Sequence, residues 1–421
     1  MKIRLAVIFG GESVEHEISI ISAHQAMEVF DKEKYEIIPV YISKNNEWYI
    51  GDVLTNIENY RDLDFVEKNA KKVKLICEQQ RYFLYEYPFK MLKNKPLAEF
   101  DVAFPIVHGT NVEDGTLQGL FESNRIPYAG PNLTGAVVGQ DKVLMKMIWQ
   151  SAGLPVLPYV WFYSAQWLEV KQEYVQTLKD TLHFPMIIKP ACLGSSVGIA
   201  IAKNDDELIA AIDEAIKYDN KIIVEKALED FTEINCSVLG DGAKVKASAL
   251  EKVFGNDEIL SYQDKYQGNT GSKGSKTSSS KLSTPITKTA QTQTNGTKGS
   301  GGMASASREI PAQLPAKMTE TIQGIAEVSF QTLSMSGVSR IDFLIDNKDN
   351  KIYLNEINTI PGSLAFYLWE ASDVTFKNLL QELVDIAIQR FKNREKTTFT
   401  YDTNVLANQK STGVKGTEGV K

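Results

Sequence analysis

Four polar residues near the C-terminal end of the chain have the types and spacing of a divalent metal site. Two strand-like runs joined by a polar turn carry them, and a five-residue turn would place Asp342 opposite Glu356 and Arg340 opposite Asn358. All four would then share one face of the hairpin, and a three-residue turn would shift the pairing but keep that face. Opposed carboxylates need a cation, a proton or an arginine between them. The pattern predicts a Mg²⁺ site or, alternatively, a solvated face with an Asp–Arg pair.

A second candidate site follows Lys189, which ends a strand-like run and precedes a turn of small residues at 194–198. The chain contains neither the GxxxxGK[ST] loop nor the GxGxxG turn of familiar nucleotide sites. Backbone N–H groups of the 194–198 turn could hold phosphate while Lys189 supplies charge, although an ordinary flexible hairpin has the same pattern. Together with the carboxylate hairpin, this turn indicates a Mg–nucleotide site.

The four histidines, at positions 16, 24, 108 and 183, lack the spacing of metal ligands, which argues against zinc. His108 follows a strand and precedes Gly109, at the edge where open α/β sheets bind ligands, but a structural role explains it equally well. Glu15 begins a predicted helix, where the helix dipole alone favours a carboxylate.

The elements that would position these residues indicate an α/β fold. The chain opens with a strand at 3–9, a Gly-Gly turn and a helix at 15–30. Strands are predicted at 36–42, 73–77, 82–87, 101–107, 186–189, 222–226, 232–239, 245–254, 340–346 and 352–358. Helices are predicted at 141–152, 205–217, 315–336 and 376–394. We predict domains at 1–130, 131–226 and 227–394, followed by a flexible tail at 395–421.

Composition narrows the function classes. The 421 residues carry 46 Lys and Arg against 53 Asp and Glu, a net charge of −7, which argues against a nucleic-acid partner. No run of about 18 apolar residues is present, so we expect no membrane span. Three scattered cysteines suit neither a disulfide framework nor a metal site and fit a reducing cytoplasm. Residues 267–302 are almost wholly small and polar, and we expect this segment to be mobile.

The motifs, taken in order, resemble those of D-alanine–D-alanine ligases, which are ATP-grasp enzymes. The matching segments are FGGESVEHEIS at 9–19, PIVHG at 105–109, EDGTLQG at 113–119, PYAG at 127–130, DK at 141–142, KP at 189–190, GSSVG at 194–198, KY at 265–266, RID at 340–342 and NEINTIPG at 355–362. The resemblance covers residues 1 to about 394. It implies three domains, an N-terminal one of Rossmann type and two ATP-grasp subdomains that hold ATP between them.

The resemblance also implies roles for individual residues. The implied ATP contacts are Lys142, Lys189, Glu225, Lys226, Leu228, Glu233 and Lys265. The implied ligands of two Mg²⁺ ions, with Mn²⁺ as a substitute, are Asp342, Glu356 and Asn358. The implied residues around the substrates are Glu15, Ser195, Tyr266, Arg340, Gly362, His108 and Leu368. In this scheme Glu15 holds the ammonium of the first D-alanine, which overrides the dipole interpretation, and Arg340 clamps the transferring phosphoryl group.

The implied reaction joins two D-alanines through an acyl phosphate for peptidoglycan synthesis, in a homodimeric protein. D-serine remains an alternative acceptor, whereas Tyr266 argues against D-lactate. A catalytically silent nucleotide-binding protein is a further alternative. The sequence departs from the family in two places: ILSYQD at 259–264 alters the segment before Lys265, and residues 267–302 are inserted into the predicted catalytic lid. Both departures affect closure of the site.

Overall fold

The computed structural model describes residues 2–89, 95–195, 197–242, 244–254 and 307–400. These residues form three β-sheets with helices packed against them, which confirms the predicted α/β class. Several predictions concern residues outside these ranges. They are the predictions for Lys265, Tyr266, the 259–264 departure, the 267–302 insertion and the tail beyond residue 400.

The N-terminal sheet has seven strands in the order β6-β5-β4-β3-β2-β1-β7. Its strands are β1 Ile3–Gly10, β2 Tyr35–Ile42, β3 Trp48–Ile50, β4 Lys71–Glu78, β5 Arg81–Glu86, β6 Ala98–Phe100 and β7 Val102–Pro105. Only β2, β1 and β7 are parallel, and they carry the glycine turn and helix of the Rossmann-like opening. The predicted strand at 101–107 ends at Pro105 and is preceded by the separate strand β6.

Helices on this sheet are α1 His16–Val29, α2 Leu63–Asn69 and α3 Thr116–Ser123, and α4 Leu133–Gln140 follows them in the chain. The buried run of β1, from Leu5 to Phe9, is the centre of the largest hydrophobic cluster. The last helix of the described chain, Phe376–Glu395, also belongs to that cluster through its buried apolar side. The core of the N-terminal sheet is therefore completed by residues from the opposite end of the chain.

The central sheet has four antiparallel strands in the order β10-β9-β11-β8. They are β8 Tyr159–Tyr163, β9 Met186–Pro190, β10 Ala200–Ala202 and β11 Lys221–Lys226. The helices preceding or packed on this sheet are α5 Lys142–Ser151, α6 Ser164–Glu169, α7 Lys171–Leu182 and α8 Asp205–Ala215. The sequence analysis did not predict β8, α6 or α7, whereas the turn between β9 and β10 is where the glycine-rich segment places it.

The C-terminal sheet has five antiparallel strands in the order β14-β13-β12-β15-β16. They are β12 Phe231–Asp241, β13 Lys244–Phe254, β14 Ser307–Glu309, β15 Ser336–Asp346 and β16 Ile352–Asn358. The helices are α9 Ala316–Thr332, α10 Phe366–Glu370 and α11 Phe376–Glu395. Helix α9 ends earlier than the predicted residue 336, because Ser334 adopts a left-handed conformation, with φ of 56°, just before β15 begins.

Candidate active site

The predicted carboxylate hairpin is formed by β15 and β16. Asp342 pairs with Glu356 and Arg340 pairs with Asn358, as the spacing predicts. The ladder is not regular, however, because a β-bulge separates the pair at Asp342 from the next pair and leaves Asn355 without a partner residue. The bulge changes the register between the turn and the site, and Asn355 becomes available for contacts outside the sheet.

Asp342 lies at the centre of this cluster. Arg340 donates from Nε and Nη2 to its two carboxylate oxygens, at 2.7 and 2.8 Å, and Asn358 Nδ2 donates to Oδ2 at 3.1 Å. Burial raises the pKa of Asp342, and the charge of Arg340 opposes that increase. Glu356 lies 3.7 Å from Lys142 Nζ. The guanidinium thus occupies the position of a cation beside Asp342.

The cluster continues across the sheet through residues that sequence reasoning missed. Asn235 on β12 pairs with Asp342 on one side and with Glu251 on β13 on the other. Asn235 Nδ2 donates to Glu251 Oε2 at 3.0 Å, and Tyr367 Oη donates to the same oxygen at 3.3 Å. A row of polar residues therefore crosses four strands to Glu356. Glu251 could have been found only from the strand register, because no motif surrounds it in the sequence.

Lysines of the central sheet and of α5 face this hairpin. Lys189 Nζ donates to Asn355 Oδ1 at 3.1 Å and lies 3.1 Å from Glu225 Oε1. Lys142 Nζ donates to the carbonyl of Leu193 at 2.6 Å, next to the glycine-rich turn. Lys142 therefore lies within 3.7 Å of the predicted metal ligand Glu356, and Lys189 contacts the neighbouring residue Asn355.

Glu225 is fully buried between two lysines. Its Oε2 lies 3.1 Å from Lys146 Nζ, a residue one helical turn after Lys142 that the sequence analysis did not single out. Burial alone would raise the pKa of Glu225, but Lys146 and Lys189 hold it below its ordinary value. Neither carboxylate oxygen has a hydrogen bond of suitable geometry within the described part of the chain.

Glu15 and Ser195 bring the first and second sheets together. The Ser195 hydroxyl donates to Glu15 Oε1, although the two residues are 180 positions apart. Glu15 is the N-cap residue of α1 and makes no side-chain capping hydrogen bond. A Cβ added to Gly109 or to Gly194 would lie 3.0 Å from Glu15 Oε2. Glycine at these two positions therefore leaves room for the carboxylate.

His108 is buried behind this pair and is neutral. Its Nδ1 donates to the carbonyl of Ile360 at 2.8 Å, and its Nε2 accepts from Ser22 Oγ at 3.3 Å. Ser22 Oγ itself accepts from the backbone N–H of Ser363 at 2.9 Å. Burial lowers the pKa of His108 to about 4. The histidine therefore fixes the loop that leads to Gly362 and has no free ring nitrogen.

Glu113 holds the same loop from the other side. Its Oε1 accepts from the N–H of Ile360 and the hydroxyl of Thr359, both at 2.7 Å, and its Oε2 accepts from Gly109 N–H at 2.8 Å. Burial, followed by the charge of Glu15, raises the pKa of Glu113 to about 7. The backbone of Ile360 is thus bound at its N–H by Glu113 and at its carbonyl by His108. Sequence analysis missed Glu113 as a site residue, although it lies within the quoted EDGTLQG segment.

The remaining predicted site residues of the described chain lie on β11, β12 and α10 and in the loops after β11 and β16. Leu368 is fully buried in α10, and Ser372 donates to its carbonyl. Lys226 ends β11 and is partly buried, Leu228 is partly buried just after that strand, and Glu233 is partly buried on β12. Gly362 begins a turn in which Ser363, Leu364 and Ala365 are all left-handed, with φ of 52°, 55° and 49°. Three consecutive left-handed residues without glycine are costly, by about 1–2 kcal/mol each, and such strain is typical of functional loops.

The described residues contain no group of three His, Cys, Asp or Glu side chains arranged to hold a metal ion. The hairpin nonetheless offers two opposed carboxylates and the amide oxygen of Asn358, which is a donor set suited to Mg²⁺. Since Mg²⁺ takes its remaining ligands from water and substrate phosphate, the residues present fit this ion without a third carboxylate.

Comparison with known proteins identifies the family. The profile described as D-ala D-ala ligase N-terminus matches residues 4–131, and the profile D-ala D-ala ligase C-terminus matches residues 148–297 and 297–385. A D-alanine–D-alanine ligase of Thermosipho melanesiensis is 34% identical over 404 residues, covering 96% of this chain and 98% of that protein.

Solved structures of ligases also resemble the whole fold of this chain. The D-alanine–D-alanine ligase of Coxiella burnetii superposes with a TM-score of 0.72 at 29% identity, covering 94% of this chain and 96% of that one. The VanG D-Ala:D-Ser ligase of Enterococcus faecalis gives a TM-score of 0.71 at 27% identity, covering 92% and 100%. The resemblance drawn from the motifs and the three-domain ATP-grasp architecture are both confirmed. The chain belongs to the D-alanine–D-alanine ligase family.

Proposed function

We propose that this protein is an ATP-dependent ligase that joins two D-alanines into D-alanyl-D-alanine for peptidoglycan synthesis. The observation that carries the proposal is the contact between Lys189 and the Asp342–Glu356 hairpin, which brings a phosphate-binding lysine to a pair of opposed carboxylates. Its setting in a chain of this family, with Glu15 and Ser195 joined across the sheets, supports the same reaction.

The chemistry follows from what peptide-bond formation requires. A carboxylate is a poor acyl donor, so its oxygen attacks the γ-phosphorus of ATP, forming an acyl phosphate and releasing ADP. The amine of the second D-alanine then attacks the acyl carbon, and phosphate leaves with the bonding electrons. Glu15 would hold the ammonium of the first D-alanine. Arg340 would neutralise the charge that develops on the transferring phosphoryl group.

The oxyanion of the second step requires fixed donors. The clamp of Glu113 and His108 on the Ile360 peptide holds the following turn in place, so backbone N–H groups near Gly362 are pre-organised for the tetrahedral intermediate. Water must also be excluded, since it would hydrolyse the acyl phosphate.

Mg²⁺ would be held by Asp342, Glu356 and Asn358, and its charge would neutralise the phosphate oxygens of ATP. Arg340 donates to both oxygens of Asp342 in the present structure, and each oxygen keeps a second lone pair that could bind the ion. We propose two ions, with Mn²⁺ as a substitute. Lys142, Lys189, Glu225, Lys226, Leu228, Glu233 and Lys265 would form the ATP site.

The identity of the acceptor is the least constrained part of the proposal. The fold resembles that of a D-alanine–D-alanine ligase and that of a D-Ala:D-Ser ligase to nearly the same degree. Tyr266, which would bond with Glu15 and Ser195, favours an amine acceptor over D-lactate. D-serine is therefore the second candidate, and Leu368 and His108 would line the substrate side of the site.

The test is release of ADP from ATP with D-alanine alone, with D-alanine plus D-serine, and with D-alanine plus D-lactate. Mass spectrometry of the products then identifies the acceptor. We expect ADP release that depends on D-alanine, and D-alanyl-D-alanine as the main product. ADP binding without any D-amino-acid-dependent turnover would contradict the proposal and favour a silent nucleotide-binding protein.

We further propose domain boundaries near residues 130 and 226, a homodimeric state and a cytoplasmic location. The three sheets contribute to three main hydrophobic clusters, although α11 packs into the N-terminal cluster and Met145 and Trp149 of α5 pack into the C-terminal one. All three cysteines are free, as expected in a reducing compartment. In the described part of the chain, no helix has both the length and the apolar character to cross a membrane. Light scattering coupled to gel filtration would test the dimer.

A further inference from the structure

Three charged side chains form a buried row behind the nucleotide-facing surface. Lys146 on α5 has no exposed area, and its Nζ lies 3.1 Å from Glu225 Oε2. The other oxygen of Glu225 lies 3.1 Å from Lys189 Nζ, and Lys189 is 5% exposed. Glu225 thus bridges two lysines, and only Lys189 reaches onward, to Asn355 Oδ1 at 3.1 Å.

The charges of the row do not cancel. With all three groups ionised, two lysines and one carboxylate leave one positive charge; burial lowers the pKa of Lys146, and the charge of Glu225 opposes that decrease. The nearby carboxylate of Glu356 lies 3.7 Å from a different lysine, Lys142. Asn355, the contact of Lys189 on the far side, is neutral. The positive charge that Glu225 does not neutralise is therefore available at Lys189, which among the described residues contacts only a neutral group outside the row.

We propose that Lys146 is a positioning residue that keeps the charge of Lys189 available to nucleotide phosphate. By pairing with Glu225 Oε2, it neutralises a carboxylate that would otherwise be matched by Lys189 alone. Without Lys146, the remaining Lys189–Glu225 pair has no net charge, and phosphate must compete with Glu225 for the lysine. This inference rests on the proposed function, since it takes Lys189 as a phosphate contact.

A purely structural ion pair would behave differently. Loss of such a pair would loosen α5 against β11 and weaken every ligand of the site to a similar degree. If Lys146 instead sets the charge at Lys189, its loss should lower the affinity for ADP more than the affinity for adenosine, because only ADP carries phosphate. Adenosine and ADP share the base and sugar and differ in phosphate, so the ratio of their affinities separates the two roles.

The experiment measures the binding of ADP and adenosine, without metal, by isothermal titration calorimetry of the full chain. The variants are Lys146→Met, Lys146→Gln, which keeps a hydrogen-bond donor toward Glu225, and the double variant Lys146→Met/Glu225→Gln. Lys171→Met is the matched control, because it removes the lysine of an ion pair with Asp213 in the same unit.

We expect both single variants to lose about tenfold or more in the preference for ADP over adenosine, because one unit of charge is removed near phosphate. The double variant restores the net charge and should restore the preference to within about threefold of the native value. Lys171→Met should leave the preference unchanged. If Lys146→Met does not fold, the ratio of ADP and adenosine affinities measured for Lys146→Gln tests the proposal.

Equal weakening of both ligands, an unchanged ratio, or failure of the double variant to restore the ratio would each overturn the role of Lys146. Absence of ADP binding to the native protein would instead contradict the proposed function itself. The two failures are therefore distinguishable in the same titrations.

Discussion

Asp342 lies directly opposite Glu356 across β15 and β16, and Arg340 binds both carboxylate oxygens of Asp342. Opposed carboxylates are destabilising unless a positive charge is nearby, and Arg340 supplies one; the oxygens of Asp342, Glu356 and Asn358 are in addition a donor set suited to the Mg²⁺ ion that we propose. We expect Asp342→Asn and Glu356→Gln each to lower kcat by about 100-fold or more, measured as ADP release with D-alanine. Asp349→Asn, on the turn of the same hairpin, is the control and should retain activity. Near-native turnover in both site variants would contradict the metal assignment.

The bond between Ser195 and Glu15 joins two loops across the site and predicts a loss of substrate affinity when it is removed. A hydrogen bond to a charged group contributes about 1.5–3 kcal/mol, so Ser195→Ala should raise KM for D-alanine by about tenfold or more. Glu15→Gln keeps an acceptor for the Ser195 hydroxyl but removes the charge that would hold the D-alanine ammonium, so Ser195→Ala should cost less in the Glu15→Gln background than in the native protein. Additive effects in this cycle would show that the two residues act independently. Ser123→Ala, at an exposed position, serves as the control.

The neutral His108 predicts a pH-dependent stability. Its folded pKa of about 4 is below its unfolded value, so the unfolded state binds more protons between about pH 4 and 6.5. The stability contributed by neutral His108 is therefore complete above about pH 6.5 and is lost as the pH falls toward 4. The loss should be of the order of 3 kcal/mol relative to His108→Asn, measured by urea unfolding at both pH values.

The comparison with the variant is essential because Glu113 acts in the opposite direction. Its folded pKa of about 7 is above the unfolded value, so its contribution falls as the pH rises from about 4.5 to 7. Equal slopes of stability with pH in the native protein and in His108→Asn would refute the assigned protonation of the histidine.

The Glu113 clamp predicts that its carboxylate cannot be replaced by an amide. Gln has one acceptor oxygen, so either orientation sets an amide N–H against one of the backbone donors of Gly109 or Ile360. Glu113→Gln should cost about 1–3 kcal/mol in stability and should lower kcat as well, because the turn at Gly362 loosens. Thr359→Val removes one donor only and should cost less. A Glu113→Gln variant with native stability and kcat would contradict the clamp.

The pairing of Asp342 with Glu356 was predictable from the sequence, yet the local geometry was not. A regular ladder extended from the site would place Asp346 opposite Ile352, whereas Ile345 occupies that position and a bulge at Asn355 absorbs the difference. Strand alternation decides which face a residue takes, but a bulge depends on tertiary contacts. In this case one such contact is the hydrogen bond from Lys189 to Asn355.

The burial of charged side chains at the site could not be predicted from the sequence either. Lys146 and Glu113 have the residue types of surface positions, and only the packing of α5 against β11, and of the 109–113 turn against the loop at Ile360, buries them. Lys189 and Arg340 could be singled out from the sequence because several segments in order carry the family resemblance, and their roles stay predictions. Tertiary burial has no comparable local signal.

Helix α11 has a consequence for synthesis of the chain. Strands β1 to β7 leave the ribosome first, but the apolar side of α11, including Leu379, Leu383 and Val384, completes their core only after nearly 380 residues have been made. Until then, the nascent N-terminal sheet exposes surface whose burial is worth roughly 10 kcal/mol. Chaperone binding to the growing chain should therefore persist until α11 emerges, and chains truncated before Phe376 should aggregate.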